Sequence, residues 1–120
     1  MTSLVTLMKV AAVFWTAAAP GVAEAECPTG VRTAVAPQTQ MQNSAVKGVQ
    51  AEAALGSCVI TFRAGWRRDL TDRQACGVVL HEYGHAALSL EHSAGGIMST
   101  YLPQGLPSVC GAFTNRNRDQ

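Results

Sequence analysis

Apolar and polar positions along this chain fall into a few segments whose spacing predicts their shape. From Thr71 to Leu88 the apolar residues, Val78, Val79 and Leu80 running into Tyr83, Ala86, Ala87 and Leu88, lie on almost every side of a helix. Such a helix is expected to be buried on most faces. Thr71 followed by Gln74 predicts a capping box at its start, and Asp72 in the first turn suits the helix dipole. A second helix is predicted over Gln38 to Leu55, where Met41, Ala45, Val49 and Ala53 recur every four residues and Gly56-Ser57 ends the run. Cys58 to Arg63 is rich in β-branched and aromatic residues and predicts a strand with Cys58, Ile60 and Phe62 on one face. Cys27 to Pro37 reads as extended or loop, Ala64 to Asp69 as a polar connection, and Ser93 to Gly96 as a turn. Ile97 to Leu102 is a short apolar segment, after which Pro103, Gly105 and Pro107 make the chain irregular and Asn115 to Gln120 reads as a frayed tail. Two main helices with a small sheet predict an α+β domain.

The first 25 residues have a different character. Lys9 precedes an apolar run from Val10 to Ala19, Pro20-Gly21 breaks it, and Ala23-Glu24-Ala25 carries small residues where a signal peptidase reads. The run is shorter than the ~20 residues a membrane span needs. The expectation is a cleaved signal peptide over 1–25, a single domain over 26–120, and a mature protein that is secreted or periplasmic and free of the membrane. Removal of the leader leaves about 95 residues, near the lower limit for a core that holds unaided. All four cysteines, Cys27, Cys58, Cys76 and Cys110, lie in that mature part. An even number in a small exported chain predicts two disulfides, with three pairings open. No two of them stand at CxxC-like spacing, which argues against a cysteine zinc site. Net charge is +1 and only 14% of residues are charged, so nothing in the composition points to nucleic acid.

The chemistry is concentrated in His81-Glu82-Tyr83-Gly84-His85, an HExxH motif on the buried helix. Residues i and i+4 share a helix face about 6 Å apart, so two imidazoles can converge on one zinc ion. Glu82 follows the first ligand and can take a proton from a water that the metal acidifies. A catalytic zinc keeps one open position and needs a third protein ligand. Glu91 and Asp119 are the only carboxylates after the motif, and Asp119 is in the tail, so the third ligand is His92 or Glu91.

The stretch from His81 to Ser93 resembles the metzincin motif HExxHxxGxxH, with a matrixin-like Glu91-His92-Ser93 ending, and Gly96-Ile97-Met98-Ser99 resembles the Met-turn of that family. The resemblance implies a minimal metzincin-like domain, peptide or protein substrates, zinc held by His81, His85 and His92, and Glu82 as the general base. It also implies a tight turn through Gly95-Gly96 that places Met98 beneath the metal. Two departures stand out. His92 stands seven positions after His85, where the family's third histidine stands six after the second, and Ser89 replaces the glycine at which the family's chain leaves the helix. A straight helix through His92 would put its Cα about 16 Å from that of His81. The helix must therefore end between Leu88 and Leu90. Tyr101 is a further candidate for assisting catalysis, Tyr83, Phe62 and Trp66 read as packing residues, and the strand at Cys58 to Arg63 is a candidate edge for an extended substrate.

Three functions fit these features. The first is zinc-dependent endopeptidase activity. The second is an exported, non-enzymatic zinc-binding protein on a reduced scaffold, since about 95 residues leave little room for subsite loops. The third is another zinc hydrolase, such as an amidase acting on cell-wall peptides.

Overall fold

The computed structural model of the chain describes residues 1–41, 49–68, 70–93, 96–98 and 108–113. Gly95, Tyr101, the middle of the 38–55 segment, the proline-containing stretch 103–107 and the tail lie outside the described residues. The elements, in chain order, are helices α1 (Leu4–Ala18) and α2 (Val22–Glu26), strands β1 (Arg32–Ala36), β2 (Ala51–Glu52) and β3 (Val59–Arg63), and helix α3 (Asp72–Leu88). Single 3-10 turns form at Gln38–Gln40 and Ser108–Ala112. The class is α+β, with a three-stranded mixed sheet and two disulfides, Cys27–Cys58 and Cys76–Cys110.

Helix α3 begins where the capping box predicts. The Thr71 hydroxyl accepts from the Gln74 amide at 3.0 Å, and the Gln74 side-chain oxygen accepts from the Thr71 amide at 2.9 Å. Two of the four orphan amides of the helix start are thereby satisfied. Almost every residue of α3 from Ala75 onward is buried, as expected for a helix apolar on most sides. β3 lies against it with Ile60 and Phe62 fully buried. Phe62 stacks on Trp66 with ring centroids 4.5 Å apart. Burying side chains of this size contributes about 1.5–3 kcal/mol each.

Two expectations are corrected. The predicted 38–55 helix is absent from the described part of that segment, which holds the 3-10 turn at Gln38–Gln40 and the strand β2. β3 is the central strand of the sheet, not an edge. The order is β1-β3-β2, with β1 parallel to β3 (Thr33 opposite Ile60) and β2 antiparallel to it (Ala51 opposite Phe62). Any extended partner would have to join β1 or β2.

The 1–25 segment is helical in the full chain and packs on α3. Ser3 caps α1 by accepting from the Thr6 amide, and Leu7, Ala11 and Trp15, four residues apart, form its buried face. The Trp15 indole N–H donates to the Leu80 carbonyl at 2.9 Å. The Thr2 amide and hydroxyl donate to Asp72 at 2.9 and 3.0 Å, and Arg67 pairs with the same carboxylate. The opposite face of α1 is open, with Val5 and Val13 at 65% and 69% exposure. Among the described residues no helix is long and apolar enough to cross a membrane.

Candidate metal centre

The exit from α3 shapes the site. Leu88 is the last helical residue, and Ser89 takes the left-handed conformation at φ 54°. This is the position at which a glycine would turn the chain without cost, and a serine adopts it less readily. The amides of Ser89 and Leu90 both return to the Gly84 carbonyl. The β2–β3 connection closes the rest of the helix end, where the Gly56 amide donates to the His85 carbonyl at 2.9 Å and the Cys58 amide to the Ala86 carbonyl at 3.0 Å. The helix thus stops inside the window that a shared metal site requires, and the chain folds back to bring His92 beside His81 and His85.

His81, His85 and His92 form one cluster, each offering a ring nitrogen within 4.8 Å of the others. These three residues lie close enough to bind one metal ion. Glu91, the other candidate for third ligand, is not part of the cluster. His81 and His85 are buried at 7% and 8% exposure, whereas His92 is exposed and closes the cluster from the solvent side.

The hydrogen-bond pattern around the first two rings tests whether a cation fits. Nδ1 of His81 is 2.7 Å from the Ile97 carbonyl, and Nδ1 of His85 is 2.5 Å from the Leu90 carbonyl. A carbonyl oxygen only accepts, so each Nδ1 carries a proton. In a neutral imidazole that leaves Nε2 as a bare lone pair. The two Nε2 atoms face each other at 3.1 Å. Two lone pairs so close repel unless a proton or a cation lies between them. Two nitrogens bound tetrahedrally at 2.0–2.1 Å from one metal would be about 3.3 Å apart. Burial lowers the pKa of both histidines, outweighing the carbonyls that raise it, and the neighbouring histidines lower it further. The neutral, metal-ready form is therefore favoured.

Glu82 follows His81 on the helix and is buried at 7% exposure. Burial pushes its carboxyl up to about 8, and the charge of Glu52 on β2 adds to the shift. Beneath the helix lies Met98, itself buried. A Cβ added to Gly84 would be 2.6 Å from the Met98 sulfur and 3.0 Å from the Trp15 ring. The Ser93 amide donates to the Met98 carbonyl at 2.9 Å, tying the segment after His92 to the Met98 turn. Gly96 takes φ 75°, a conformation that glycine adopts readily.

Phe62, Trp66 and Tyr83 are packed, as their sequence context suggests. Sequence reasoning missed the Ile97 and Leu90 carbonyls that orient the histidines, because backbone atoms leave no trace in residue identity. It also missed Glu52, whose strand it read as helix. No protein-family model, curated protein or solved structure matches this chain.

Proposed function

We propose that the chain is an exported zinc-dependent peptidase of metzincin-like type, with His81, His85 and His92 as metal ligands and Glu82 as general base. The observation that carries the reading is the pair of Nε2 lone pairs facing each other at 3.1 Å, closed by His92, with a buried carboxyl next along the helix. An all-imidazole set suits zinc, although nitrogen donors also accept copper, nickel and iron. When bound, zinc would polarise a peptide carbonyl and make a nearby water more acidic. Glu82 takes the proton of the attacking water and passes it to the leaving amine. Its burial keeps competing water away, and Glu52 raises its affinity for the proton. The Ile97 and Leu90 carbonyls hold the two imidazoles in one tautomer and orientation, as outer-shell acceptors commonly do. Met98 packs under the helix as the floor of the site.

The two disulfides are consistent with an oxidising compartment. With the composition of residues 1–25 they support a secreted or periplasmic protein whose leader is removed after Ala25.

The test is cleavage of a mixed peptide library by the zinc-loaded protein and by Glu82→Gln. The proposal expects turnover by the first, none by the second, and equal zinc content in both. Turnover that survives in Glu82→Gln would remove Glu82 as the base. A second reading is favoured by the small sheet, whose β2 pairs over only two residues. In that reading zinc braces the fold of an exported binding protein and no peptide is cut. Loss of structure on chelation, with no cleavage under any condition, would decide for it.

A further inference from the structure

We propose that Glu26 is a positioning residue for the metal centre, holding the turn at Ser89 that delivers His92. The inference rests on the metal-binding reading above and names a part of the site outside the motif.

Three observations converge on Glu26. The Ser89 hydroxyl donates to the Glu26 carboxylate, joining residues 63 positions apart in sequence. A hydrogen bond to a charged acceptor is among the stronger kinds. Gly56 leaves the space in which this pair lies. A Cβ there would meet the Glu26 carboxylate and come within 2.9 Å of the Ser89 oxygen, and φ at Gly56 is +68°. Glu26 is itself anchored, since the next residue, Cys27, is bonded to Cys58, and the amides of Gly56 and Cys58 close the end of α3.

The physical need is clear from the departure in the motif. A left-handed serine is less stable than a left-handed glycine, so without support the chain after Leu88 has other conformations available. His92 lies only three residues further on. Freedom at Ser89 becomes positional freedom at the third ligand. The Glu26 carboxylate removes that freedom by fixing the hydroxyl, doing for serine what the absence of a side chain does for glycine. Glu26 is also the first residue kept when a leader is cut after Ala25, so the latch would persist in the mature chain.

The test uses the full oxidised chain as wild type, Glu26→Ala, Glu26→Gln, Ser89→Gly and the Glu26→Ala/Ser89→Gly double variant. Circular dichroism checks that each keeps its helix. Zn2+ affinity is measured by competition with a chromophoric chelator, and the Co2+ absorption spectrum reports ligand geometry. Glu26→Ala is expected to weaken Zn2+ binding about tenfold or more, the usual scale for an outer-shell partner, and to change the Co2+ spectrum. Glu26→Gln, whose amide oxygen still accepts, should stay close to wild type. Ser89→Gly should restore the Glu26→Ala protein, because glycine needs no latch. If Glu26→Ala does not fold, Ser89→Ala removes the same bond from the other side and is expected to give the same loss. The proposal is overturned if Zn2+ affinity and the Co2+ spectrum are unchanged in Glu26→Ala, or if its loss persists in the double variant. A wild-type chain that binds no metal overturns the metal reading together with the latch, whereas a binding wild type with an indifferent Glu26→Ala overturns the latch alone.

Discussion

The sulfur of Met98 lies 2.6 Å from the point at which Gly84 would carry a Cβ. Gly84 falls on α3 between the two buried histidines in sequence, so the missing methyl lets the Met98 side chain come up against the helix at that turn. The Trp15 ring and the Met98 methyl, at 3.0 and 3.2 Å from the same point, crowd it further. Gly84→Ala should cost about 1–3 kcal/mol despite the gain in helix propensity, as overpacking of a tight core does. Chemical denaturation of the metal-free protein measures this, and an unchanged midpoint would mean that the turn yields easily.

Facing lone pairs on His81 and His85 predict what metal removal does. Chelation should lower the melting temperature of the wild type and leave that of His81→Ala or His85→Ala almost untouched, since a ligand that binds only the native state stabilises it by mass action. Either substitution should cut Zn2+ affinity by more than the 10–100-fold typical of outer-shell changes. Native mass spectrometry and thermal scans check both points. His92→Ala should weaken binding as well, and a His92→Ala protein with wild-type affinity would remove it from the ligand set.

Acid sensitivity is expected at the start of α3. Burial works to raise the Asp72 carboxyl, but hydrogen bonds from Thr2, the Arg67 charge and the chain's amino terminus together bring it below its ordinary value. A carboxylate with a lowered folded pKa stabilises the fold above the ordinary carboxylate range, and the contribution drains away as pH falls through the lowered value. Wild type should therefore melt a few degrees above Asp72→Asn at pH 7, with the gap narrowing as pH falls below the ordinary carboxylate range and through the lowered value. Using the metal-free full chain keeps ligand protonation out of the comparison. A gap that is constant with pH would deny the ionised carboxylate its role.

The Cys27–Cys58 bridge closes a loop across a sequence separation of 31. Loop-closure entropy assigns such a bridge about 3–4 kcal/mol. Replacing both cysteines with serine should lower stability by an amount of this order, and the denaturation midpoint of the double variant measures it.

Much of α3 was legible because its signals are local. Thr71 with Gln74 marks the start, and the impossibility of reaching His92 along a straight helix marks the end. The pairing of His81 with His85 was readable from their i, i+4 spacing, and the structure brings His92 beside them, leaving Glu91 outside the cluster. The segment at 38–55 misled for a specific reason. Apolar residues at Met41, Ala45, Val49 and Ala53 recur every four positions, and four is close to a helical turn but is also a multiple of the strand period of two. That pattern does not separate the two structures, and the short pairing of Ala51 with Phe62 decided the outcome at β2. β1 carries little alternation to read, because four of its five residues are exposed and its partner β3 is distant in sequence. Glu26 left no signal at all, since its importance lies in the contact it makes with Ser89.

The two disulfides join consecutive cysteines, Cys27 to Cys58 and Cys76 to Cys110, and their loops do not overlap. A chain that emerges from a translocation pore N-terminus first exposes Cys27 and Cys58 before either of the other two. The first pair can close while it has no competitor, and the second then meets only its own partner. Such an order of emergence avoids both mispairings, the crossed one that would interlock the loops and the nested one that would enclose one within the other, so this covalent framework can be assembled as the polypeptide arrives, without a later round of reshuffling.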